Sequence, residues 1–168
     1  MSDVLSGDEP LKQLFAGLTE YTFQVDLGIA DPPLIDYLSD LLVRFVRVDT
    51  IFGIRNAQGQ RLEQVADMLV EAQHRIDRPE RDIHRHIGDF TLFYVGVFPE
   101  AIEKQKSLQT KDSLLDYCQQ GKRAYHKASE LTDNDHLAEA CLYERLSSEF
   151  EVCSFGLAKV RQEWQKLR

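Results

Sequence analysis

Apolar positions recur at steps of three and four residues along almost the whole chain, the period of a helix with one buried face. Leu11, Leu14, Phe15, Leu18 and Thr22 predict a first helix that ends near Gly28, and residues 1–9 before it are expected to be flexible. Asp31-Pro32-Pro33 predicts a restart, because Asp can accept from the free amides of a helix start and Pro has no amide to leave unpaired there. Leu34, Leu38, Leu41, Phe45, Val48 and Phe52 then form one continuous apolar stripe, closed by Gly53 and the Asn56–Gly59 stretch. A third helix is predicted over Leu62, Val65, Leu69, Ala72 and Ile76, with Arg78-Pro79-Glu80 as a corner.

The fourth predicted helix spans about 80–98, with Ile83, Ile87, Phe90, Tyr94 and Val97 as its inner stripe. Beyond Asp89 it is apolar on nearly every side, since Leu92, Phe93, Val95 and Phe98 add to that stripe. A helix of this kind belongs at the centre of a bundle. Gly88 and Gly96 mark expected points of close helix approach. A fifth helix, capped by Thr110, turns Leu114, Cys118, Gly121, Tyr125 and Ala128 inward. The remainder, about 135–167, carries Leu142, Leu146, Phe150, Cys153, Leu157, Val160, Trp164 and Leu167 in one register. It reads as one long C-terminal helix, or as two halves bent near 154–156 at Ser154-Phe155-Gly156. The connections are short, so the expected fold is an all-α, single-domain antiparallel bundle of six or seven helices over residues 1–168.

Charge adds a second pattern. The formal net charge is −8, and residues 1–40 hold eight acids against Lys12 alone, which leaves the other helices close to neutral. No basic stripe is present to neutralise phosphates, so nucleic acid is not an expected partner. Lys122, Arg123 and Lys127 are offset by Glu130, Asp133 and Asp135 and read as a solvated face. The start of the chain is polar and acidic rather than signal-like, and the longest uncharged run of the apolar segment, Phe90 to Pro99, is far short of the roughly 20 residues of a membrane span. A cytoplasmic protein without membrane association is expected. The three cysteines, Cys118, Cys141 and Cys153, lack paired spacing and are expected to be buried, inert thiols rather than a disulfide or zinc framework.

Two groups of side chains could carry chemistry. Asp82, His86 and Asp89 fall at i, i+4 and i+7 on the fourth helix, so they share one stripe beside Phe93, with Arg85 placed to pair with either acid. A histidine held by a carboxylate could act as a base or hold a metal ion. The plainer reading is an ion-pair cluster near the positive end of the helix dipole. Glu71 and His74 have the Glu-x-x-His spacing of carboxylate-bridged di-iron bundles, but no second copy accompanies them and both point away from the predicted apolar face. Tyr117, Gly121, Tyr125, Ala128 and Leu131 resemble one helix of a tetratricopeptide unit, and a solenoid needs about three such units where one is visible.

No nucleophile elbow, phosphate loop or paired metal motif is present, and no cofactor is expected. The expectation is therefore a non-catalytic interaction or regulatory module with a protein partner or a second copy of itself, its acidic N-terminal section being suited to a basic partner. The alternative is a ligand- or metal-binding bundle, or an enzyme, with its site at Asp82, His86 and Asp89.

Overall fold

The computed structural model describes residues 9–45, 80–100 and 114–167. Among them are six α-helices and no strand. They are α1 (Glu9–Tyr21), α2 (Pro32–Phe45), α3 (Glu80–Val97), α4 (Leu114–Leu131), α5 (Leu137–Ser148) and α6 (Phe150–Lys166). The all-α bundle is thus present, packed helix to helix around one core. The third predicted helix, the C-terminal end of the second and the start of the fifth lie outside the described residues, as does the expected flexible segment except for Glu9, which opens α1.

Local chemistry sets the ends of the elements. α1 runs on into a π-helical turn, Thr22–Asp26, which closes when the Ile29 amide donates to the Phe23 carbonyl at 2.7 Å. Gly28 allows that closure with φ of +68°, a left-handed value that a side chain would oppose. Asp31 opens α2 as its sequence predicts: the Leu34 amide donates to its Oδ1 at 3.4 Å, and its carboxylate also pairs with Arg145 of α5 at 2.8 Å.

The α1–α6 and α4–α5 pairings are antiparallel. On the α1–α6 contact the Phe15 ring meets Trp164 edge-on at 5.3 Å, while Phe23 sits over Gly156. On α4–α5 the Ser129 and Ser147 hydroxyls donate to the carbonyls of Ala140 and Lys122 at 2.9 and 2.7 Å. α3 is central, packed against α2, α4 and α6, with Ile83, Ile87, Phe90, Leu92, Phe93 and Val97 all buried. Gly88 and Gly96 are close-approach points as expected, against Tyr125 of α4 and Ser154 and Leu157 of α6.

Three expectations change. The C-terminal run is interrupted at Glu149 rather than near 154–156. Gly156 lies inside α6, where its missing side chain admits the Phe23 ring instead of bending the helix. Cys141 is exposed and Cys118 half-buried; Cys153 alone is fully enclosed, and burial pushes its thiol up to about 12. Phe98, at the end of α3, is 41% exposed, with the Arg161 guanidinium of α6 5.1 Å from its ring centroid.

Candidate functional site

The central helix carries an acid in its most apolar stretch, and the fold answers with donors from three directions. Asp89 is 1% exposed, between Gly88 and Phe90. An ionised carboxylate there is strongly disfavoured unless it is paired and hydrogen-bonded. The Tyr37 hydroxyl of α2 donates to its Oδ1 at 2.6 Å, and the Tyr125 hydroxyl of α4 donates to the same oxygen at 2.7 Å. Arg44, at the last turn of α2, holds Oδ2 at 3.2 Å. The other side of Arg44 bonds Asp40 at 2.9 Å, so a half-exposed guanidinium links a surface acid to the buried one.

Each donor is positioned by a specific local cause. Tyr125 lies flat over Gly88, where any Cβ would stand 2.6 Å from the ring, and this contact brings its hydroxyl to the next residue of α3. Tyr37 is braced edge-on by Tyr143 of α5, with ring centroids 6.3 Å apart. Arg44 stacks its guanidinium near the Tyr37 and Phe45 rings, at 5.8 and 5.7 Å. Burial, reinforced by Asp89, raises the Tyr37 and Tyr125 hydroxyls well above the ordinary phenol range. Burial alone would lower Arg44, but Asp89 and Asp40 outweigh it and the guanidinium is held more firmly charged. A second layer continues the network: Arg85 is coupled to Tyr37, Asp89 and Tyr143, and the Tyr143 hydroxyl donates to Glu139 at 2.9 Å. Tyr143 is pushed up to about 12 by burial and by that bond.

The predicted stripe divides under these contacts. Asp82 is a half-buried acid bonded to Arg81 at 3.2 Å. His86 is buried at 8% exposure, stacked on Phe45 with centroids 5.8 Å apart and tilted against Phe90. Asp89 belongs to the tyrosine–arginine network. Arg85, expected on Asp82 or Asp89, faces the Asp89 network while Arg81 takes Asp82. Among the described residues no three His, Cys, Asp or Glu side chains are grouped to hold a metal ion. Glu71 and His74 lie outside the described residues.

The sequence reading missed Tyr37, Arg44 and Tyr143, and placed Tyr125 inward without its partner. One signal was available: an acid within a run that is apolar on every side needs buried donors, and the inward tyrosine of α4 is a natural one.

Elsewhere the polar side chains pair on the surface. His126 bridges Glu144 and Glu130 at 2.9 and 3.0 Å, His136 meets Asp133 at 2.7 Å, and Lys122 meets Glu151 at 2.8 Å. Three clefts of about 310, 220 and 200 Å³ open beside α6, and none of the three is lined by Asp82, His86 or Asp89. Among the described residues no helix is long and apolar enough to cross a membrane.

Fold and site together define an all-α bundle whose central helix carries a charged, hydrogen-bonded node. Comparison with protein-family models, curated proteins and solved structures finds no match for the chain.

Proposed function

We propose that the chain is a non-catalytic helical module that acts by contact with another macromolecule, a protein of basic character. The observation that supports this most is the closure of the Asp89 node. Both carboxylate oxygens are bonded to side chains of the same molecule, so the one strongly functional-looking group serves to fix three helices against each other. Such a node gives a bundle a single well-defined arrangement, which a recognition surface needs. The second support is charge. Eight acids against one lysine in residues 1–40 give that section a long-range attraction for a basic partner that weakens with salt.

Size-exclusion chromatography of a native cell extract tests the reading. The chain is expected in assemblies larger than one copy, and these are expected to dissociate as salt is raised. Elution at the mass of a single chain at every ionic strength overturns it. Elemental analysis of the purified protein separates it from the metal-binding alternative at Asp82, His86 and Asp89, for which a stoichiometric metal lost in His86→Ala is the required result.

A further inference from the structure

The glycines of the described helices differ in what a Cβ would meet. At Gly88, Gly96, Gly121 and Gly156 the nearest heavy atom would stand 2.6, 3.0, 2.4 and 2.3 Å away, so packing within the chain demands a glycine at each. Gly17 differs. It is exposed in the interior of α1, and a Cβ there would meet nothing within 4 Å. A glycine inside a helix weakens it relative to alanine, and among the described residues no packing contact calls for one at this position.

The same flank of α1 carries apolar side chains that the bundle leaves partly uncovered. Leu14, Leu18, Tyr21 and Val25 recur at steps of four, three and four residues, and Gly17 lies in their row, three residues after Leu14 and four before Tyr21. Leu14 and Leu18 are half-buried, whereas Tyr21 and Val25 are 59% and 61% exposed. This is a different flank from the one that meets α6, which is formed by Phe15 and Phe23. Its rim is acidic: Glu20 and Asp26 are exposed, and Lys12 is the one base between residues 9 and 26.

We propose that this flank of α1 and its π-helical extension binds an amphipathic helix of a partner protein. The partner helix lays its apolar face along Leu14, Leu18, Tyr21 and Val25, sets basic residues against Glu20 and Asp26, and comes closest to α1 at Gly17. The assignment rests on the interaction-module reading and names its surface and partner chemistry. A second copy of the chain is the poorer occupant, because its own α1 segment offers the single base Lys12 against Glu20 and Asp26 rather than a row of basic residues.

The test is a titration of the full-length, nitrogen-15-labelled chain with a synthetic helical peptide of about 18 residues built from Leu, Ala and Lys on an amphipathic pattern. Its counterpart carries Glu for every Lys. The lysine peptide is expected to shift amides within residues 14–26, with an affinity that falls as salt rises, and the glutamate peptide is expected to leave them unmoved. Gly17→Gln fills open space, so it should keep or raise the melting temperature while weakening binding about tenfold or more. Tyr21→Ser, an exposed substitution, should weaken binding in the same direction. Wild-type affinity in both variants, equal binding of the two peptides, or shifts mapping to another face overturns the proposal. A dimer that Gly17→Gln converts to monomer in light scattering overturns it in favour of a second copy. Native assemblies that persist in the Gly17→Gln chain remove this flank and leave the interaction-module reading standing; absence of any assembly removes both.

Discussion

The hydroxyl of Tyr125 donates a 2.7 Å hydrogen bond to Oδ1 of Asp89, from the inward face of α4 to the centre of α3. Tyr37 gives the same oxygen a second bond at 2.6 Å from α2. One buried oxygen therefore ties three helices together. Hydrogen bonds to a charged group contribute about 1.5–3 kcal/mol each, so Tyr125→Phe and Tyr37→Phe are each expected to lower stability by that order in urea unfolding. The double variant should lose more than the sum, because Asp89 then keeps Arg44 alone. A double-mutant cycle that is strictly additive would show that the two hydroxyls do not share the acid.

Asp89→Ala removes the acceptor and leaves Arg44 and two phenols facing an emptied site. Breaking a buried charge pair from one side destabilises by about 3–5 kcal/mol, and this substitution is expected in that range. Guanidinium unfolding followed by far-UV circular dichroism measures it. A loss below about 1 kcal/mol would show that water replaces the carboxylate without difficulty.

Gly88→Ala places a methyl group 2.6 Å from the Tyr125 ring. The ring must move, and its hydroxyl then leaves Asp89. The expected result is a loss of about 1–3 kcal/mol, together with ionisation of one tyrosine at lower pH in an alkaline ultraviolet titration. In the parent chain Tyr37 and Tyr125, both raised by burial and Asp89, are expected to stay protonated until the bundle opens.

His84 sets an acid limit. It is buried at 9% exposure, and desolvation lowers its pKa from the ordinary 6.5 despite Glu80. The unfolded chain therefore binds the proton more tightly than the folded one. Its contribution is fully present above pH 6.5, declines as the pH falls from 6.5 through the lowered folded value, and levels off below it. His136, raised by Asp133, works in the opposite sense but is fully exposed and screened. His84→Gln is expected to flatten the fall in melting temperature as the pH drops below 6.5. An unchanged slope would assign that fall to the carboxylates.

Thr19 and Thr22 are 0% and 1% exposed, and among the described residues their hydroxyls have no hydrogen-bond partner. A buried hydroxyl left unpaired is worth about 1–3 kcal/mol of lost stability. Thr19→Val keeps the shape and removes the polar atom, and it is expected to raise the melting temperature. A lower melting temperature would show that the hydroxyl is bonded in solution.

The sequence alone determined the described helices apart from the break at Glu149, the restart at Asp31-Pro32-Pro33, the apolar centre at α3 and the inward face of Tyr125. Each of these follows from periodicity or from a local backbone preference, which acts over a few residues. It also put Asp82, His86 and Asp89 on one stripe, because a period says which side chains share a face of a helix. It could not say what would face them. Asp89 meets Tyr125, Arg44 and Tyr37 across 36, 45 and 52 residues of chain, and those meetings depend on how α2 and α4 pack on α3. The same holds at Gly156, whose place in the chain suggests a bend until Phe23 of a distant turn is seen to occupy the space. Local spacing chose the faces; close packing of one helix on another chose the partners, and with them the fate of each buried charge.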